Sequence, residues 1–128
     1  MSSDHPATKP LVEQQRRFQK RSQTTDTPAC LLTPNGRIHD VNTAFCRLLD
    51  YQRGDVIGRL MSELTDPRDV DLTIVMLDLA LAGKVQRLSF RQRDIDASGA
   101  SLDVLVNGTL VKDANSSPVC FLLEIASA

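Results

Sequence analysis

The stretch NGRIHDVNTAFCRLLDYQRGDVIGRLMSELTDPRDV, residues 35–70, decides the fold of this chain. It opens with Asn35-Gly36, a strong hairpin signal because both residue types tolerate a positive φ. A strand over residues 37–41 follows, and the spacing of apolar residues then changes from a strand period to a helical one. Asn42 stands at this change, where a helix needs an N-cap. The stretch therefore predicts a hairpin that leads into short helices.

The helix with the clearest boundaries begins at the end of this stretch. Asp66 is predicted as its N-cap and Pro67 as its first residue, with Asp69 placed to reach back to the cap. Gly83 is predicted to end the helix, since glycine readily adopts the left-handed conformation of a C′ residue. The apolar residues that recur at helical spacing, and so predict its buried face, are Val70, Ile74, Leu77 and Leu81.

Strand signals lie on both sides of the predicted helices. A short apolar run, residues 29–32, precedes the hairpin turn. After the long helix, residues 85–93 and 102–111 alternate between apolar and polar, and residues 119–125 are almost continuously apolar. Strands at both ends with helices between them predict an α+β fold, in which helices cover one face of an antiparallel sheet.

The beginning of the chain has a different character. Residues 1–10 are expected to form a flexible arm, and residues 11–21, rich in helix formers, an amphipathic helix. The expected organisation is thus an arm and helix over residues 1–27, followed by one domain over residues 28–126. A chain of 128 residues is long enough for a single core of this kind.

Residues 28–125 resemble a PAS domain, with the most specific matches in the first half. The matching residues are Gly36 with Ile38, Val41-Asn42, Ala44-Phe45, Leu49, Tyr51, Ile57-Gly58, and Asp66-Pro67 followed by Asp69. The resemblance implies the PAS fold, a five-stranded antiparallel sheet with helices covering one face and enclosing a pocket, here preceded by an N-terminal helix. In this family a helix ahead of the first strand often packs on the sheet or on a partner subunit.

The resemblance also implies a function. PAS domains are sensory and regulatory modules of signal transduction, found in two-component systems and in the regulation of transcription, and they act by homodimerisation or protein–protein interaction. The expected partners are a second copy of the chain and a signalling protein or output domain. The seam expected on the N-terminal helix consists of Leu11, Val12 and Phe18. The expected pocket, which would suit a small hydrophobic ligand, is lined by Leu60, Leu64, Met76, Leu77, Phe90, Val104, Val106 and Leu122.

No cofactor is predicted, because the residues that hold haem or flavin in PAS relatives are missing from their usual places. No histidine occurs in residues 67–82, the long helix that commonly supplies the haem ligand, and His39 lies on a predicted strand. Gly58-Arg59 is followed by Leu60-Met61, without the cysteine that blue-light flavin domains use. The alternatives are a haem or flavin sensor that uses other ligands, and an adaptor that docks on a separate kinase or transcription regulator.

The remaining patterns favour a non-catalytic cytoplasmic protein. The sequence contains no GxSxG, GxxxxGK[ST] or HExxH motif, so no catalytic or metal-binding residue is predicted. Net charge is −1, and the basic residues within 16–21 are interpreted as a charged helix face rather than a nucleic-acid site. No apolar run predicts a membrane partner. The cysteines expected to stay reduced, as in the cytosol, are Cys30, Cys46 and Cys120.

Overall fold

A computed structural model describes residues 8–128 of the chain; residues 1–7, with His5 and most of the expected arm, lie outside the described residues. Helices and strands follow one another in the predicted order. They are α1 (Thr8–Ser22), β1 (Ala29–Leu32), β2 (Ile38–Val41), α2 (Thr43–Leu49), α3 (Arg53–Val56), a 3₁₀ turn (Met61–Leu64), α4 (Val70–Leu81), β3 (Arg87–Ile95), β4 (Ser101–Lys112) and β5 (Pro118–Ser127). The N-terminal helix thus begins before residue 11, where the sequence predicted its start.

The strands form one five-stranded sheet in the order β2-β1-β5-β4-β3. Every neighbouring pair is antiparallel. The chain's last strand, β5, lies at the centre of the sheet, between β1 and β4. Between β2 and β3 the chain forms α2, α3 and α4 on one face of the sheet. The predicted α+β architecture is therefore confirmed.

Two local predictions in the first half are confirmed. The turn between β1 and β2 reverses at Gly36, whose φ of 88° is unfavourable for residues with a Cβ. Asn42 caps α2, since its side-chain oxygen accepts a hydrogen bond of 2.9 Å from the Phe45 N–H. The same Asn42 oxygen accepts a bond of 3.0 Å from the Ala29 N–H, so this cap also joins the helix to β1.

The predicted start of the long helix is wrong. Helix α4 begins at Val70 rather than at Pro67, and Asp69 is its N-cap residue without making a side-chain capping bond. Both nearby carboxylates are bound elsewhere: Asp66 to Arg68, and Asp69 to Arg93 on β3. Each carboxylate accepts a bidentate, charge-assisted pair of hydrogen bonds from an arginine, which explains why neither aspartate caps the helix.

The predicted end of α4 is confirmed, and its predicted buried face is confirmed in part, since Leu77 is buried and Leu81 packs against the core. Gly83 has a φ of 74°, and the Lys84 N–H donates to the Leu79 carbonyl at 2.9 Å, as in a Schellman motif. The residues of α4 that are buried are Thr73, Leu77 and Ala80. Ile74, predicted to be buried, is 46% exposed. The helix turns Thr73 toward the sheet because this side chain hydrogen-bonds to β3.

The sheet separates two apolar clusters. The main core lies between the sheet and helices α2 to α4, and its largest side chains include Phe45, Leu49 and Phe121. A smaller cluster on the opposite face joins Phe18 of α1 to Leu31 of β1. Alternate residues of the central strands therefore serve the two clusters. Helix α1 covers part of the face that helices α2 to α4 leave open.

Candidate functional site

A cleft of about 240 Å³ opens between the middle of α4, the β1–β2 turn and the 3₁₀ turn. It is smaller than the ~300–1,000 Å³ of pockets that hold drug-sized ligands. Its lining residues are Pro34, Asn35, Gly36, Leu60, Met61, Ser62, Thr73, Ile74, Leu77 and Asp78. The walls are mainly apolar, and the polar side chains among them are Asn35, Ser62, Thr73 and Asp78. Such a cleft suits a small, mostly apolar molecule.

Most of the predicted pocket residues lie on the helix-covered side of the sheet, but few of them line this cleft. Leu60 and Leu77 line it. The residues packed in the core on the same side are Leu64, Met76, Phe90, Val104 and Val106. Leu122 does not belong with them, because on β5 it points to the opposite face and packs against the cluster beneath α1. This placement corrects the predicted lining, while ligand binding itself stays a prediction.

A buried chain of polar side chains runs from the cleft into the core. The Thr73 hydroxyl, at the cleft wall, donates to Gln92 Oε1 at 2.6 Å. Gln92 Nε2 in turn donates to Asp94 Oδ1 at 2.5 Å. Sequence reasoning missed these residues, although a signal existed: Gln92 and Asp94 continue the alternation of Leu88 and Phe90 along β3.

Asp94 is an unusual carboxyl group, since only 3% of it is exposed. Burial raises its pKa to about 7, and the hydrogen bond from Gln92 offsets only part of that effect. Burial first, and then the charge of Asp94, raise the pKa of the Cys30 thiol. Tyr51, whose hydroxyl donates to the Ile95 carbonyl at 2.9 Å, also has a pKa raised mainly by burial. Asp94 therefore places a titratable group at the buried end of the polar chain.

Ion pairs hold the beginning of α4 against the edge of the sheet. Arg93 on β3 donates to both oxygens of Asp69, each at 2.8 Å, and these bonds hold the pKa of Asp69 at about 2. Arg68 binds Asp66 in the same bidentate way and holds its pKa well below the usual range. Ser101 on β4 adds a hydrogen bond of 2.9 Å to Asp66. The cleft wall is thus tied to two strands.

The residues of the predicted seam on α1 differ in their surroundings. Phe18 is buried and Leu11 is partly buried, both against the outer face of the molecule's own sheet. Val12 is 42% exposed. Leu11 and Phe18 therefore pack against the chain's own sheet. Of the three residues, Val12 is the exposed apolar side chain that another molecule could contact.

A polar contact fixes the other side of α1. Gln15 and Gln19 each donate to Asp40 Oδ2 at 3.3 Å, and Arg53 binds the second oxygen of this buried carboxylate at 2.8 Å. His39 Nε2 lies 3.2 Å from Gln15 Oε1. His39 therefore faces α1 and lies on the sheet face opposite the cleft, where it is badly placed to ligate a group bound in the cleft.

The cleft offers few groups that could hold the cofactors known in related folds. Its lining includes no histidine, cysteine or aromatic ring. The cysteines of the chain are free thiols, and burial raises the pKa of Cys120 to about 11. No cluster of metal-binding side chains occurs within residues 8–128. The cleft thus offers neither an imidazole nor a thiolate to a haem iron, leaving the Met61 thioether as its one sulfur donor, and no ring to stack on a flavin.

None of the helices among the described residues is both long and apolar enough to span a membrane.

Comparisons with known proteins agree with the geometry. A PAS domain from Colwellia psychrerythraea has a TM-score of 0.78 at 16% identity, with 88% of this chain and 95% of that chain covered. A PAS domain of an HTR-like protein from Haloarcula marismortui has a TM-score of 0.66 at 22% identity, with 94% and 97% covered. At these identities the likeness establishes the fold alone.

A sequence relative and a family profile extend the comparison. The chain is 21% identical over 117 residues to the probable diguanylate cyclase DgcE of Escherichia coli (strain K12). The matched segment covers 91% of this chain but only 11% of that protein. The chain thus corresponds to a small part of that relative. The profile of the PAS fold matches residues 16–125, which is most of the sequence. The chain therefore belongs to the PAS family, whose members typically serve as sensory modules in signal transduction.

Proposed function

We propose that this chain is a non-catalytic, cytoplasmic signal-input module that binds a small apolar ligand in the cleft and acts on an output domain through a homodimer. The observation that carries the proposal is the direct hydrogen bond between the cleft wall and the sheet, from Thr73 to Gln92. The recipient of the signal is proposed to be a kinase, cyclase or transcription regulator. The free thiols of the chain support a reducing compartment.

The proposed ligand acts by moving α4 relative to β3. A molecule that enters the cleft contacts Thr73 and Leu77, which lie on the buried side of α4. Any shift of Thr73 is transmitted to Gln92 through their hydrogen bond. The Asp69–Arg93 ion pair links the start of α4 to β3, so the two elements move together there. A ligand changes the equilibrium only to the extent that it binds one arrangement better than the other.

The proposed dimer forms on the outer face of the sheet, beside α1. Val12 offers an exposed apolar side chain there, and the exposed residues Arg16 and Lys20 lie on the same helix. Next to α1, an open groove of about 510 Å³ runs over β3, β4 and β5, with Leu122 at its floor. A second copy that covers Val12 and this groove would contact the sheet directly, so a movement of the sheet would change the dimer interface.

Native mass spectrometry of the full chain purified from cells tests both parts of the proposal. We expect the mass of a dimer with a small molecule retained in substoichiometric or full amount. A bare monomer at micromolar concentration, confirmed by light scattering, would refute the homodimer. A retained haem or flavin would instead establish the cofactor alternative.

A pair of variants locates the dimer surface. Val12→Glu places a charge on the proposed interface and is expected to convert the dimer to a monomer. Ala114→Glu, in the exposed turn between β4 and β5, is the matched control and is expected to remain dimeric. If both variants remain dimeric, the interface does not involve α1.

A further inference from the structure

The outward side of α4 is apolar although it faces solvent. Leu72 and Val75 are 47% and 51% exposed, and the partly buried Leu79 continues the same line along the helix. A surface helix normally carries polar residues on this side, and a helix that is apolar all round is normally covered all round. These three residues are called the α4 stripe below. Their exposure indicates a surface that another element covers.

The α4 stripe has the spacing of a coiled-coil seam. Its residues stand at i, i+3 and i+7, as the a and d positions of a heptad do. Asp71 and Asp78 directly precede Leu72 and Leu79, so they occupy the flanking g positions. Both aspartates are exposed, and α4 itself contains no lysine or arginine. Within α4 the border of the stripe therefore carries negative charge only.

We propose that the α4 stripe docks an amphipathic helix of another protein, one that carries lysine or arginine beside its own apolar seam. Charges at the flanking positions of a helix pair set partner choice and orientation, so Asp71 and Asp78 would select a cationic partner. Neither aspartate has an ion-pair partner within residues 8–128, which leaves both available for that role. The inference goes beyond the proposed ligand and homodimer and depends on neither.

The same charges argue against a second copy of α4 as the occupant. In an antiparallel pair, g positions face each other, so Asp71 of one copy would oppose Asp78 of the next. In a parallel pair, g faces e, and the aspartates would meet Met76 and Gly83, which offer no charge. Self-pairing of the stripe therefore either repels or leaves its flanking charges unused.

A lipid surface is also disfavoured. Helices that lie in the membrane interface carry lysine and arginine on their polar side, which attract anionic lipids. The polar residues beside the α4 stripe are Asp71 and Asp78, whose charge is repelled by the same lipids. A cationic protein helix satisfies both the apolar seam and the acidic border.

The position of α4 would connect such a partner to the cleft. Ile74 and Asp78 line the cleft, while the α4 stripe lies farther around the same helix. A ligand that shifts α4 would therefore shift the docked helix as well. Because binding is reciprocal, a docked partner would change the affinity for that ligand by the same factor.

Two synthetic helical peptides of equal length test the proposal, both with leucine at a and d, one with lysine and the other with glutamate at e and g. Fluorescence anisotropy measures their binding to the full chain. We expect the lysine peptide to bind at least about tenfold more tightly than the glutamate peptide. Leu72→Glu and Val75→Glu should each weaken that binding by about tenfold or more. Ala114→Glu, remote in sequence and on an exposed turn, should leave it unchanged.

A charge exchange supplies the decisive control. The double variant Asp71→Lys with Asp78→Lys should bind the glutamate peptide in preference to the lysine peptide. Circular dichroism verifies that each variant is folded, which is expected because the altered side chains are exposed.

Several results would overturn the docking site. These are the absence of binding to either peptide, undiminished binding by both Leu72→Glu and Val75→Glu, and an unchanged preference after the charge exchange. A homodimer that Leu72→Glu abolishes and Val12→Glu preserves would assign the stripe to a second copy. Binding to vesicles of phosphatidylcholine and phosphatidylglycerol that Leu72→Glu abolishes would assign it to membrane.

Discussion

Replacing Asp94 by asparagine should change how the stability of the fold depends on pH. The folded chain buries this carboxyl group with Gln92 as its hydrogen-bonding neighbour, and its pKa rises to about 7. In the unfolded chain the group returns to its ordinary value of 3.8. Between these values the folded protein holds a proton that the unfolded protein has released. The free energy of unfolding must therefore fall as pH rises from about 4 to about 7.

The size of this effect follows from the two pKa values. Each pKa unit corresponds to about 1.4 kcal/mol, so the wild-type protein should lose roughly 4 kcal/mol across this range. Above about pH 7 the contribution levels off, because the group is ionised in both states. Asp69 acts in the opposite sense and in another range: its stabilising pair with Arg93 is lost as pH falls toward about 2. The two effects are thus separable.

Urea unfolding monitored by circular dichroism, repeated at intervals between pH 4 and pH 8, measures the effect. The wild-type midpoint should fall steadily with pH, and the Asp94→Asn midpoint should stay nearly level. Asparagine keeps the shape of the side chain without a titratable proton, so this variant should be the more stable protein at pH 8. Asp26→Asn, at an exposed aspartate in the α1–β1 linker, serves as the control and should follow the wild type.

Parallel curves for the wild type and Asp94→Asn would refute the reasoning, since they would mean that Asp94 titrates alike in the folded and unfolded chains. A wild-type protein that gains stability between pH 5 and pH 7 relative to the variant would contradict the sign as well. It would imply a cation close to Asp94.

Two further substitutions test how the fold is held together. Asn42→Ala removes the cap of α2 and its link to β1, and should lower the free energy of unfolding by about 2 kcal/mol, whereas Thr43→Ala beside it, at an exposed position, should change it little. Gly108→Ala places a methyl group against the Leu122 backbone carbonyl and the Leu123 side chain on β5, and should cost about 1–3 kcal/mol in urea unfolding. Gly54→Ala, where the added methyl meets open space, should be neutral or slightly stabilising. A Gly108→Ala protein as stable as the wild type would show that β4 and β5 accommodate the methyl group without cost, contrary to the expectation.

The order of the elements could be predicted from the sequence because it depends on local signals. Gly36, Asn42 and Gly83 mark a turn, a cap and a helix end by their own conformational and hydrogen-bonding properties. The start of α4 could not be predicted in the same way. Asp66 and Asp69 look like capping residues, but each carboxylate is held by an arginine instead. Arg68 reaches Asp66 within a local turn, and Arg93 reaches Asp69 from a distant strand.

The candidate site could be predicted only in part. Leu60 and Leu77 could be placed in the cleft lining, because the resemblance and the apolar spacing indicated which residues face the space between the helices and the sheet. Leu122 was misplaced because β5 is apolar on both faces, so alternation does not tell which residues face the helices. Asp94 escaped notice because it lies beyond the predicted end of the strand, where a polar residue resembles the start of a loop. Gln92 lies within the predicted strand, but alternation does not show that a polar side chain is buried.

The sequence by itself determined the class of fold, the order of its elements and the family, since each depends on residue types at fixed spacings along the chain. Only the tertiary structure decided which faces are covered, that Asp94 is buried beside Gln92, and that the α4 stripe is left exposed. Burial and charge pairing are properties of residues brought together from distant parts of the chain. Those neighbours set the pKa values and free surfaces from which function is inferred.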